Sequence, residues 1–395
     1  MVTIIARSVR GLEWVAADEI SAALPEASGL AMSSREVTFL LPDLAQDLLG
    51  LRTVDDVFVQ AGRVPGVSPG KAGPATAAAG VADLDWAGAL APLGAIRAIA
   101  PRPRLDVVAS LEGRRNYNRF AVENAVGDLL ARRLHGSYLA RTSSGRQAGE
   151  TDLMVRVFVR GSEAVTAVEV AAQPLHRRGY KQESGPGTLH PPMAAALARL
   201  ARPAPGDTVA DPFCGDGTIA IETALSYPAA CVLASDIDDV RLGHAERNAA
   251  RAGLPLTLRQ ADAAELPWPD RGIDAVITNP PWNIAVDARG LLRRSLGGFW
   301  RQLPRLLTPG GRVCLISDAQ LDAPAQLRQM GYQLALATQV RLAGRVSHVL
   351  LCAPREQRPP RIPAGLAGWR RLALAEGLIT ETGFSSALED RTTAS

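Results

Sequence analysis

The stretch TVADPFCGDGTIAIETAL, residues 208–225, passes from a short apolar run through a glycine turn into a helical pattern. Gly215 and Gly217 let the backbone turn tightly and approach a ligand at the carboxyl end of a strand, where α/β sheets bind ligands. A glycine pair alone also serves an ordinary strand-to-helix turn, and a full dinucleotide fingerprint puts a third glycine where Ala220 stands here. The following segments decide. Apolar runs at 231–236, 256–262, 274–279 and 312–317 alternate mostly with helical segments, the mark of a parallel, doubly wound sheet. Two late β-like runs, YQLALATQVRL and SHVLLCA, complete it as a hairpin-like pair at one edge. Asp236 closes CVLASD, 25 residues after Asp211, where a carboxylate can hydrogen-bond a ribose diol. Asp262 falls at the same edge, available to an adenine amino group, and Asn279 closes the fourth run. Helix-capping acids explain any one of these. Together they describe a nucleoside site.

The fourth run ends AVITNPPW. Proline ends a strand because it lacks the N–H that the ladder needs, but that leaves the amide before the two prolines and the indole after them unexplained. With these motifs the half from about 190 to 355 resembles the class I S-adenosylmethionine-dependent methyltransferases that carry an N-P-P-aromatic motif. Members with that motif act on planar amino nitrogens of bases or of glutamine. The resemblance implies that Asp211, Gly215 and Gly217 surround the methionine part, with Cys214 and Thr218 of the same turn also binding cofactor. It places the ribose on Asp236 and the adenine on Asp262. Asn279, Pro280, Pro281 and Trp282 are the implied catalytic residues. An exocyclic amine is a poor nucleophile because its lone pair is delocalised into the ring. The Asn279 side-chain oxygen and the Pro280 carbonyl can accept its two N–H bonds, proline's rigid φ holds that carbonyl in place, and Trp282 can stack on an extruded base.

Upstream, residues 2–62 read as a small α+β unit, 63–80 (RVPGVSPGKAGPATAAAG) as a Pro/Gly/Ala linker, and the following region as a second α+β unit. The segment AVEVAAQPLHRRGYKQ, 167–182, resembles the junction between a THUMP domain and its methyltransferase. On that resemblance, residues 1–62 are a ferredoxin-like domain, 81–175 a THUMP RNA-binding domain, 176–193 a linker, 194–355 the Rossmann-like methyltransferase and 356–395 a tail. Residues 97–181 hold 14 Arg and 1 Lys against 8 acids, whereas the rest of the chain has an acidic excess. That asymmetry fits a polyanion-facing module, although a chain with 41 Arg and 2 Lys also uses arginine on any solvated face. Arg114, Arg115, Arg177 and Arg178 are the candidate phosphate contacts, Arg177 and Arg178 being equally suited to cap the linker. His190 is carried as a candidate cofactor contact, and His176 as a structural histidine at a strand end.

The expected activity is methylation of a guanosine N2 amine in RNA, tRNA before 23S rRNA. Alternatives are an N-P-P enzyme acting on adenine N6 or protein glutamine, and a catalytically silent RNA-binding protein. No uncharged apolar stretch of membrane-spanning length and no signal-peptide pattern occur, so a cytoplasmic protein is expected. Cys214, Cys231, Cys314 and Cys352 are isolated, without metal-ligand spacing, and read as reduced thiols. A monomer needing no metal is expected.

Overall fold

The computed structural model describes residues 1–141, 150–282, 287–342 and 344–380. Eight strands form a first sheet: β1 (Val2–Ser8), β2 (Ser28–Ser33), β3 (Glu36–Leu41), β4 (Val54–Pro65), β5 (Arg104–Leu111), β6 (Ser137–Tyr138), β7 (Leu153–Arg160) and β8 (Glu163–Glu169). Their order is β2-β3-β1-β4-β8-β7-β5-β6. Strict alternation builds it: in β1, Ile4 and Ala6 face the main core while Ile5 joins Phe58, Phe158, Val165 and Ala167 on the opposite face. Helices α1 (Glu13–Ala23), α2 (Gly73–Ala82), α3 (Trp86–Leu90) and α4 (Arg119–Arg133) accompany it.

Two expectations are corrected here. The two N-terminal units are not separate, because β4 pairs antiparallel with β8 and fuses them into one sheet. The 63–80 segment is not a linker either: β4 runs to Pro65, and most of the Gly/Ala-rich stretch is α2. Its small residues serve close packing, since a Cβ on Gly80 would lie 2.3 Å from a Val64 methyl. Composition alone reads the same residues as flexible.

The second sheet holds β9 (Thr208–Asp211), β10 (Cys231–Asp236), β11 (Thr257–Gln260), β12 (Ile273–Thr278), β13 (Leu307–Asp318), β14 (Tyr332–Leu342) and β15 (Arg345–Pro354). Its order is β11-β10-β9-β12-β13-β15-β14, parallel except that β15 is antiparallel to both neighbours. The chain reverses direction across the sheet at β9 and β12, the switch point where such sheets bind ligands. This is the Rossmann-like, mostly parallel doubly wound sheet that the sequence predicts. Helices α5 (Pro191–Ala201), α6 (Thr218–Ser226), α7 (Asp239–Arg251), α8 (Gly297–Leu306) and α9 (Ala323–Gln329) cover it, and α10 (Ala364–Ala375) follows within the expected tail. No helix of the described residues is long and apolar enough to cross a membrane.

The two halves share an apolar core that runs from Ile4 through Met193 and Val209 to Ile379. Their polar seam centres on Glu222 of α6, which is fully buried. Its carboxylate accepts from Arg52 Nε at 2.8 Å, Arg178 Nε at 3.0 Å and the Tyr180 hydroxyl at 2.7 Å. Arg178 also donates to the carbonyls of Arg52 and Leu175. Thus the N-terminal half, the connector and the helix that opens at the glycine turn meet on one carboxylate.

Candidate active site

At the switch point lies a cavity of about 660 Å³. Its floor is the turn after β9. Gly217, at φ +83°, precedes α6 and packs against Ala245 of α7, where a Cβ would come within 3.0 Å. A side chain there is doubly penalised, by backbone conformation and by contact. Gly215 N–H donates to Asp236 Oδ2 at 2.8 Å, which holds the turn against the end of β10. Asp236 Oδ1 accepts the Asp238 N–H at 3.0 Å, and burial raises this carboxyl's pKa. Both oxygens keep further lone-pair sites for ligand hydroxyls. Asp262, beyond β11, fixes the far wall by accepting the N–H groups of Ala264 and Leu291.

Gly215, Cys214, Thr218, Asp236, Asp262, Asn279, Pro280, Pro281 and Trp282 all line this one cavity. Thr218 Oγ1 is buried and without a hydrogen-bond partner. Cys214 is a buried thiol whose pKa burial pushes well up, so it lines the site without reactive thiolate character. At the end of β12, the Asn279 amide nitrogen reaches the Gly187 carbonyl at 3.5 Å. Its Oδ1 is buried and has no partner among the described residues, and neither has Trp282 Nε1. An unpaired buried acceptor costs free energy unless something donates to it.

Several candidates stand elsewhere. Asp211 lies behind the wall, fully enclosed, where Oδ1 accepts the Thr278 hydroxyl at 2.7 Å and the Phe213 N–H at 3.2 Å. It braces β9 to β12, and burial lifts its pKa to about 7. Gly217 likewise supports the turn from behind. His190 is corrected: it precedes α5 and its Nε2 meets Asp55 Oδ1 at 2.7 Å, outside the cavity. His176 stacks beside it and engages the Asp55 carbonyl, as a structural histidine does.

The phosphate candidates divide. Arg178 is corrected to a structural residue, its donors engaged by Glu222 and two carbonyls. Arg115 is corrected likewise, since it donates to the Glu112 and Gly161 carbonyls and to the Tyr117 hydroxyl. Arg178 satisfies two carbonyls in the part-buried seam, and Arg115 bridges two at the surface. Arg114 and Arg177 are exposed.

Sequence reasoning missed the loop 183–189. Pro186, Gly187, Thr188 and Leu189 line the cavity beside Asn279. Asp216, 1% exposed, anchors that loop by accepting from Gly185 N–H and the Thr188 hydroxyl. It also pairs with Arg241 at 2.8 Å and His244 at 2.9 Å. Arg241 reaches on to the Pro186 carbonyl. The only local signal was the Gly/Pro spacing of ESGPGT.

Residues 178–348 match the family model described as RMKL-like, methyltransferase domain. The tRNA (guanine(6)-N2)-methyltransferase of Thermus thermophilus is 37% identical over 57% of this chain and 68% of its own length. The chain belongs to the tRNA (guanine-N2)-methyltransferase family. A mouse relative, the tRNA (guanine(6)-N(2))-methyltransferase THUMP3, is 26% identical over 46% of this chain but only 38% of its own length. The crystal structure of TrmN from Thermus thermophilus superposes with a TM-score of 0.71 at 29% identity, covering 90% of this chain and all of that one. The chain is accordingly a methyltransferase whose cofactor is S-adenosylmethionine. The residues present fit that group: Asp236 and Asp262 stand at successive strand ends, the glycine turn brings backbone close, and the buried Thr218 hydroxyl awaits a partner.

Proposed function

We propose that this enzyme methylates the N2 amine of guanosine 6 in tRNA. The position follows the relatives' names, and the observation that carries the chemistry is Asn279 Oδ1, buried and unpartnered among the described residues on the wall that also holds Gly215 and Asp236. In this reading Asp236 holds the ribose and Asp262 the adenine, while Cys214, Gly215 and Thr218 line the methionine end. Bound S-adenosylmethionine supplies an electrophilic sulfonium methyl. Asn279 Oδ1 and the Pro280 carbonyl would accept hydrogen bonds from the two N–H groups of the amine, which localises its lone pair as the nitrogen becomes tetrahedral. Trp282, half-buried at the mouth, stacks on the base. Rate then derives from alignment and charge complementarity.

In the same reading the fused N-terminal sheet is a ferredoxin-like domain joined to a THUMP domain, and it holds the acceptor stem. Exposed Arg114 and Arg177 supply phosphate contacts. The mouse relative's name and the PLHRRGY junction support this assignment. The test is nucleoside mass spectrometry of tRNA after incubation with the enzyme and S-adenosylmethionine. N2-methylguanosine mapped to position 6 is expected. Methyladenosine, or no methylation of tRNA, overturns the reading.

A further inference from the structure

Resting on the guanine reading above, we propose that Arg345 is the residue that selects guanine, by donating a hydrogen bond to O6 of the captured base. Arg345 opens β15 and lines the cavity shared with Asn279 and Trp282. Its Nε and Nη2 both lie 2.8 Å from Asp318 Oδ2. Asp318 is 1% exposed, and its other oxygen accepts the Gln320 N–H at 2.9 Å. The guanidinium is therefore pinned on one side by a carboxylate that cannot move. Nη1 has no acceptor among the described residues, and the side chain is 40% exposed.

The sheet register sets the distance. Thr278 of β12 pairs with Leu315 of β13, and Asp318 at the end of β13 pairs with Ser347 of β15. Asn279 is therefore level with Ile316, and Asp318, which holds the guanidinium, stands one strand spacing of about 4.8 Å away and two residues of about 3.3 Å further along, roughly 8 Å from Asn279. A guanidinium held there is within reach of a purine whose amine is bound at Asn279.

The chemistry then distinguishes the bases. When guanine is held by its N2 amine, the ring carbon meta to C2 carries O6, an acceptor that arginine reads well. When adenine is held by N6, the meta positions are C2–H and C4, neither of which accepts a hydrogen bond. Arg345 rewards the first base and gains no hydrogen bond from the second, its ion pair to Asp318 and its exposed face being unaffected.

The test uses the full-length enzyme and tRNA carrying either guanosine or 2-aminopurine riboside at the target position. 2-Aminopurine keeps the amine and lacks O6. The native enzyme is expected to favour guanosine in kcat/KM by roughly 10- to 100-fold, the worth of a hydrogen bond to a charged group. Arg345→Met is expected to lose that factor on guanosine and to leave 2-aminopurine methylation unchanged. Cofactor titration of the variant, expected to match the native enzyme, shows that it is folded. Equal loss on both bases makes Arg345 a backbone contact and overturns the proposal, as does unaltered discrimination. If the native enzyme methylates neither RNA, the functional reading fails and this inference fails with it. If only the variant's discrimination stays intact, the inference alone fails.

Discussion

Along the N-terminal sheet many arginines are engaged by the protein itself, whereas several unpaired polar atoms converge on the cavity of the second sheet. Arg97 donates to the carbonyls of Asp152, Glu169 and Val170, Arg7 pairs with Glu36, and Arg63 pairs with Glu163. Among the described residues Asn279 Oδ1, Thr218 Oγ1 and Trp282 Nε1 have no partner, and all three residues line one cavity. Buried unpaired atoms occur in the first sheet too, at Ser8, Gln60, Arg156 and Thr166, but none of these lines that cavity. Net charge therefore points to the half proposed to meet RNA without locating the contact, because much of the charge is neutralised at home. Unmet capacity locates the chemistry where several such atoms converge on one cavity.

The sharpest way to break this contrast is Asn279→Ala. Loss of an oriented acceptor that matters mainly in the transition state is expected to cost roughly 3–4 kcal/mol, a few hundredfold in single-turnover rate, with cofactor affinity retained. A near-normal rate in folded protein would make Asn279 a turn cap. Glu222→Ala probes the opposite regime. Removing the shared carboxylate leaves Arg52 and Arg178 partly buried without a counter-charge, and unfolding titration should report a loss of about 3 kcal/mol. Activity per folded molecule should change far less. An unchanged midpoint would mean that the seam contributes no stability.

Asp211 tests the brace behind the wall by pH. Burial raises its folded pKa to about 7, above the usual carboxylate value. The folded protein thus keeps a proton that the unfolded chain has released, so this stabilisation is complete below about pH 4 and is lost as pH rises through 7. Asp211→Asn, with no proton to lose, should flatten that part of the cofactor-free stability curve. Parallel pH profiles for the two proteins would refute it. The smallest effect is expected from Arg177→Ala, which should lower the log–log salt dependence of tRNA binding by about 0.7–0.9. Arg178→Ala should instead reduce thermal stability with little direct change in that slope. If the two behave alike, the division of the arginines is wrong.

The catalytic half was readable because its signals are local. Strand alternation, a glycine turn and the residue closing each strand all lie within a few positions of one another, so Asp236, Asp262 and Asn279 could be placed on one edge before any contact was known. The Glu222 seam joins residues 42 to 170 positions apart, and nothing in the neighbourhood of Arg52 announces it. Asp216 escaped for the same reason: inside a glycine turn it reads as a turn residue, and its role depends on Thr188 and His244, each 28 positions away. Fusion of the N-terminal units rests on β4 meeting β8 across some hundred residues, where short segments show only that each is a strand.

Helix α10 lies on α1, with Leu366 and Ala373 fully enclosed and Gly365 close against Asp18, which itself pairs with Arg199 of α5. A premature stop near codon 360 would therefore strip the cover from the first helix of the chain. In a genetic screen such an allele could score as defective in RNA binding although it deletes none of the proposed RNA contacts. Its lesion is at the opposite end of the gene from the surface it uncovers. Complementation by a separately expressed C-terminal peptide would reveal the true cause.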